Sequence, residues 1–301
     1  MRKIVYYLFV LIAVASSAAA KSKEPYYIAP SQVSLSEILD PIPAPGSEAQ
    51  KKDMRAVLNA ERSRTEEQVK SAQADAEVSV FRFADVLGPN FDPESVPFTK
   101  KFFERITSDE VQAIGTAKKY FNRPRPFVVS QDIHPIIKQP SDASYPSGHT
   151  AFAYLIAIIL AKVVPEKSAA LFERAAVYSH NRVVAGVHFP TDVEAGRIAS
   201  SVIANTLLHE GQFINDLVQA KAEVRRTLNL DWVRLSGSSR LNETSRRDKK
   251  APVPPNSFEQ TALGDRFPAN ASVRTRQYLC VHSLPESPWR TLSLIAVPQC
   301  E

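Results

Sequence analysis

Glycine is scarce in this sequence, nine residues in 301, and the body of the chain divides into long stretches whose residue types suit only a helix. Gln50 to Ala76 contains neither Gly nor Pro and is made largely of Ala, Arg, Glu, Gln and Lys, the residues that lose least on entering a helix. Further helices are predicted over Thr99–Phe121, Thr150–Val164, Ser168–Val183, Pro190–Glu210 and Gln212–Leu228. The stretch Thr99–Phe121 reads as two pieces, with Ser108-Asp109-Glu110 supplying a cap and an acidic first turn for the second. Glu77–Leu87 either continues as helix or, given its β-branched start, becomes a strand before Gly88-Pro89-Asn90 breaks it. No run of alternating apolar residues signals a sheet, so the fold class is all-α.

The two ends differ from this body. Arg2-Lys3, the apolar run Ile4–Val14 and Ala18-Ala19-Ala20 have the order of a cleavable export signal, here residues 1–20. The apolar run is too short to span a bilayer comfortably, since a spanning helix takes ~20 apolar residues; the alternative to a cleaved signal is an uncleaved N-terminal anchor. The most apolar later stretch, Ala151–Ala161, stops at Lys162 and reads as a buried core helix, so no integral membrane segment is expected in the mature chain. Residues 21–49 form a Pro-rich, extended lead-in to a helical domain over 50–231. Residues 232–301 lose the apolar period and turn to Ser, Arg, Pro and Asn, the composition of a flexible tail. Cys280 and Cys300 both fall there, so a bridge between them would close a tail loop and could not staple the body. The formal charge of +5 resides at the ends, +2 in residues 1–20 and +4 in 232–301, against −1 for the remainder. A nearly neutral body argues against nucleic acid as the partner.

Three clusters in the body suit an anion. Lys118 and Arg125-Pro126 are seven residues apart, close to two helical turns; Pro124 ends the helix between them, which puts Lys118 on its last turn and Arg125 just beyond. Alone, such cations do no more than complement a helix dipole. Tyr145-Pro146-Ser147-Gly148-His149-Thr150 leads into the apolar helix, where Gly148 permits close backbone approach and the unpaired amides of a helix start favour a phosphate. The plain alternative is a Ser147 N-cap followed by an incidental histidine. In the third cluster Pro190 suits the first helical position, placing Asp192 in the first turn, four residues after His188 and ten after Arg182. A carboxylate on one ring nitrogen fixes the tautomer and leaves the other lone pair free to attack, though a structural His–Asp pair would look the same. Three cations, two histidines, an orienting carboxylate and an amide-rich helix start together match the needs of phosphoryl transfer to water.

The pattern Lys118-x6-Arg125-Pro126, Pro146-Ser147-Gly148-His149, Arg182-x5-His188-x3-Asp192 resembles the tripartite signature of the type 2 phosphatidic acid phosphatase superfamily, which also includes vanadium haloperoxidases. Tyr145–Thr150, the lead-in Pro43–Ser47 and Gln219–Glu223 are most similar to secreted bacterial class A non-specific acid phosphatases, over roughly Tyr26 to Leu230. The resemblance implies a helical bundle, no metal or cofactor, and a periplasmic or secreted phosphatase acting on small phosphate monoesters, with homo-oligomerisation left open. It implies that His188 attacks phosphorus while Asp192 holds its ring, and that His149 protonates the leaving alkoxide and later activates water. Lys118, Arg125, Arg182, Ser147 and the Gly148 amide would bind the phosphoryl oxygens. His149 would work protonated and His188 neutral, giving a bell-shaped, acid-shifted pH profile. Asn181 stands where the family has Ser, which bears on the placement of Arg182. The alternatives are a vanadium-dependent haloperoxidase, a lipid phosphate phosphatase and a non-catalytic polyanion binder using the basic tail.

Overall fold

The computed structural model describes residues 25–230. The segment 1–20, the tail 232–301 and both cysteines lie outside the described residues. Among the described residues every regular element is helical: α1 (Leu35–Ile38), α2 (Glu48–Ser63), α3 (Glu66–Ala74), α4 (Ala84–Leu87), α5 (Pro97–Phe121), α6 (Pro126–Val129), α7 (Gly148–Val163), α8 (Ser168–Val184), α9 (Pro190–Leu207) and α10 (Gly211–Thr227). The stretch Gln50–Ala76 is two helices, because Thr65 caps α3 through its hydroxyl and the Gln68 side chain returns the bond to the Thr65 amide. Glu77–Leu87 forms neither strand nor long helix, only a 3-10 turn and the single turn of α4.

The most apolar helix becomes the centre. From Ala151 to Val163, α7 buries Phe152, Leu155, Ile156, Ile159 and Leu160 on several faces, with α8, α9 and α5 packed around it. A helix apolar all round needs neighbours on all sides, which the flanking amphipathic helices supply. Among the described residues no helix is long and apolar enough to cross a membrane.

One expectation from sequence is corrected. It concerns Thr99–Phe121, which is part of one continuous helix, α5, with no internal cap. Asp109 is buried and its carboxylate accepts from the backbone amides of Tyr26 (2.6 Å), Tyr27 (2.7 Å) and Ile28 (3.1 Å). The acidic side chain that resembled a local cap is therefore consumed by a distant strand of chain. Residues 21–49, read as an extended lead-in, are described from residue 25 onward and pack onto the helical domain. Tyr27, Ile28, Val33, Leu35 and Leu39 are buried in the main core, and the Tyr27 ring stands edge-on to Phe213 at 5.4 Å. The N-terminus of α5 is likewise held from afar: Glu223 on α10 accepts from the amides of Phe98 and Thr99, since Val96 has no side chain to cap them.

The start of α7 lies hard against α9. A Cβ on Gly196 would come within 2.5 Å of the Ser147 carbonyl and 2.9 Å of the Thr150 Cβ, so only glycine allows this approach. Gly196→Ala is expected to push the two helices apart at a cost of about 1–3 kcal/mol, read as a lower midpoint in chemical denaturation. An unchanged midpoint would mean that the helices do not meet there.

Candidate active site

The C-terminal half of α5, the N-terminal end of α7, the last turn of α8 and the loop just before α9 meet around one cavity of about 270 Å3. Lys118 lies in the last turn of α5, after which Asn122 takes a left-handed conformation (φ 45°) and redirects the chain through Arg123-Pro124-Arg125. Arg125 is thereby returned beside Lys118. Its Nε donates to the Asp142 carbonyl (2.8 Å) and its Nη1 to the Val187 carbonyl (2.8 Å). Arg182 is buried and donates from Nη2 to the Ala72 carbonyl (2.7 Å), while Nε and Nη1 have no hydrogen-bond partner. A guanidinium that keeps two buried donors unspent at a cavity wall is suited to an anion with oxygen acceptors.

His188 is buried between Arg125 and Asp192. Arg125 Nη1 lies 3.2 Å from His188 Nε2, and an arginine N–H can only donate, so Nε2 accepts and Nδ1 carries the proton. Nδ1 faces the Asp192 carboxylate at 3.4 Å. Burial first, and then the Arg125 charge, push the His188 imidazole down to about 3 despite the raising influence of Asp192. The ring is therefore neutral over the ordinary pH range. Asp192 is completely buried; burial alone would raise its carboxyl, but the bond from His188, the Arg123 guanidinium and the Ser144 hydroxyl hold it below the usual range.

His149 lines the same cavity. Its Nε2 sits 3.1 Å from the Ala76 carbonyl, so that nitrogen carries a proton and Nδ1 is the one that can gain a second. Burial, reinforced by Arg182, pushes His149 down to about 4. His149 is thus neutral in the free protein at ordinary pH, because burial first, and then the cations gathered for an anion, oppose a second proton.

The match with known proteins follows this geometry. The family described as "PAP2 superfamily" matches residues 107–214. The chain is 30% identical to a non-specific acid phosphatase of Salmonella typhimurium over 233 residues, covering 73% of this chain and 90% of that protein. It is 31% identical to an acid phosphatase of Zymomonas mobilis over 199 residues, covering 62% of this chain and 74% of that one. A non-specific acid phosphatase of Providencia stuartii is 30% identical over 210 residues, 66% of this chain and 84% of that protein. The chain belongs to the PAP2 superfamily.

In this PAP2 protein, six of the eight residues singled out in sequence border the cavity: Lys118, Arg125, Gly148, His149, Arg182 and His188. Asp192 stands behind His188, and Ser147 is buried at the start of α7 with its Oγ accepting from the Thr150 amide. Asn181 turns away from the cavity and donates to Ser71 Oγ (2.9 Å) and Asp75 Oδ2 (2.8 Å), fastening α8 to α3 beside Arg182. Asp75 is in turn gripped by two nitrogens of Arg174.

Four residues of this PAP2 site escaped the sequence reading. Asp142 bridges Lys118 and Arg125 at 2.7 Å each. Burial would raise its carboxyl, but the two cations outweigh that and hold it down to about 2. Arg123 reaches the Asp192 and Asp53 carboxylates, both at 2.7 Å, with its guanidinium 4.1 Å from the Phe189 ring. Ser144 donates to Asp192. Glu110 lines the cavity with Oε1 buried and unpartnered. Only Arg123 had a local signal, its place between Lys118 and Arg125; the others are gathered by tertiary packing.

Proposed function

We propose that this chain is a phosphoric monoester hydrolase, an acid phosphatase that works through a phosphohistidine. The observation that carries the reading is a neutral His188, with Nε2 as its acceptor nitrogen, set among Lys118, Arg125 and Arg182 in a cavity shared with His149. The names of the relatives, which are acid phosphatases over most of their length, support it.

The phosphoryl oxygens take donors from Lys118, Arg125, the spare Arg182 nitrogens and the Gly148 amide at the start of α7, displacing the Asp142 carboxylate from its two cations. Ser147 adds its hydroxyl proton or holds the turn. His188 Nε2 attacks phosphorus, the P–O ester bond breaks, and the leaving oxygen takes, through His149 Nδ1, the proton that the substrate monoanion brought into the site. Asp192 stabilises the His188 ring as positive charge develops on it. Water then gives a proton to His149 and attacks phosphorus, the P–N bond breaks, and inorganic phosphate leaves. No step calls on a metal or cofactor. The order of Arg2-Lys3, the apolar run and Ala18–Ala20 supports export to the periplasm or beyond.

Steady-state hydrolysis of a simple aryl phosphate by the purified protein, with and without a chelator, tests this reading. Turnover that survives chelation is expected; no turnover, or turnover abolished by the chelator, contradicts it.

The pH dependence follows from the histidines. With His149 neutral in the free protein, the proton for the leaving group arrives on the substrate monoanion, whose second pKa is about 6. kcat/KM is therefore expected to fall as pH rises above about 6, tenfold per unit, and to fall again at the acid end as His188 protonates near its value of about 3. A kcat/KM profile flat from about pH 5 to 9 would contradict the delivery of that proton through His149, and the absence of an acid limb would contradict the assignment of His188.

A further inference from the structure

Glu110 is an ionisable side chain in the cavity that the mechanism above does not use. It projects from the middle of α5, 2% exposed, with Oε1 buried and lacking any hydrogen-bond partner. Native folds rarely leave such an atom unpaired unless something else completes it. Glu110 and Lys118 border the same cavity from one uninterrupted helix, eight residues apart, an axial separation of about 12 Å at 1.5 Å per residue. Between them α5 presents Ile114 and Gly115, and Val78, Ile137 and Phe152 add apolar wall. The cavity thus has a cationic end, formed by Lys118, Arg125 and Arg182, and an apolar stretch with one carboxyl set in it.

We propose that Glu110 is a specificity-determining residue, its carboxyl pairing with a hydroxyl carried on the apolar body of the leaving alcohol while the phosphoryl group sits among the cations. This rests on the phosphatase reading and adds to it a substrate class, phosphate monoesters of aryl or similarly apolar alcohols that bear a hydroxyl away from the ester. The charge state of the carboxyl suits that task. Burial pushes it up to about 8 although Lys118 opposes the rise, so at acid pH it is uncharged and both donates and accepts. Uncharged, it neither repels the phosphate monoanion nor competes with it for Lys118. The other ionisable groups facing the cavity, Asp142, His149 and His188, are engaged at the phosphoryl end.

The test compares 4-(hydroxymethyl)phenyl phosphate with 4-ethylphenyl phosphate, which match in size and differ by the hydroxyl, at pH 5. The wild-type protein is expected to favour the hydroxymethyl ester in kcat/KM by about tenfold, the size of one completed hydrogen bond. Glu110→Gln, which keeps a donor and an acceptor, should retain the preference. Glu110→Leu, and Glu110→Met as a second apolar variant of similar length, should bring the ratio to about one. Thermal melts confirm that each variant is folded. A wild-type ratio near one, or a preference that survives in a folded apolar variant, overturns the proposal while leaving the phosphatase reading intact. Absence of turnover on both esters and on phenyl phosphate overturns both.

Discussion

Replacing His188 with Ala lowers kcat/KM toward an aryl phosphate by about 10³-fold or more, because the bond-forming nitrogen is gone and water has no comparable nucleophile to offer. The loss should appear in kcat more than in KM. Lys118, Arg125 and Arg182 remain to hold the phosphoryl group, and Arg125 keeps its bonds to the Asp142 and Val187 carbonyls. The ring is buried against Asp192 and Arg125, so a folded variant should be confirmed by its thermal transition before kinetics are compared. If a folded His188→Ala protein hydrolyses the ester at near wild-type rate, the nucleophile lies elsewhere. His149 would then be the first alternative, since it shares the cavity.

Arg123→Ala is expected to be the most damaging change behind the site. The guanidinium joins two buried carboxylates, Asp53 and Asp192, and its own side chain is 2% exposed. Removing one member of a buried ion pair leaves charge without compensation, at a cost of about 3–5 kcal/mol. Two carboxylates lose their partner here, which places the change at the upper end of that range. The sign with pH follows from Asp192. Its carboxyl is held below the ordinary value, so its contribution to stability is present above the unfolded value and fades as pH falls. Without Arg123 that contribution shrinks, and the difference in stability between wild type and Arg123→Ala should narrow in acid. Catalysis suffers for a linked reason: a carboxyl that regains its proton no longer fixes His188 Nδ1. Denaturant titrations at pH 7 and pH 4 would measure the loss of stability and its narrowing in acid, and kcat/KM of the folded variant the loss of catalysis. A loss below about 1 kcal/mol at pH 7 would show that the bridge contributes little.

Much of this was legible along the chain because the information is local. The apolar run after His149 could only be a buried helix, and it became α7 at the centre of the packing. Pro190 at the first position of α9 put Asp192 within reach of His188, as the spacing required. What escaped depends on distant pairings. Asp109 has the sequence context of a helix cap, yet its oxygens are taken by amides some eighty residues earlier. The described part of the Pro-rich segment avoids long helices, as its prolines require, and still buries Tyr27 and Leu35, because side-chain burial does not need regular backbone. Asp142 and Glu110 carry no motif; one meets Lys118 and Arg125 only after the loop before α7 has folded back, the other faces the cavity only because α5 does not break. The lowered pKa of His149 in the free protein was not legible for the same reason, since its proton is opposed first by burial and then by Arg182, a residue from a different helix.

The central claim is that phosphorus passes through a covalent bond to His188. Rapid quenching of the wild-type protein during turnover of a radiolabelled aryl phosphate, followed by peptide mapping, addresses it directly. The account predicts an acid-labile, alkali-stable phosphoryl group on His188, formed and lost at rates that match turnover and absent from His188→Ala. Turnover with no protein-bound label at any quench time, or label located on another residue, would contradict it.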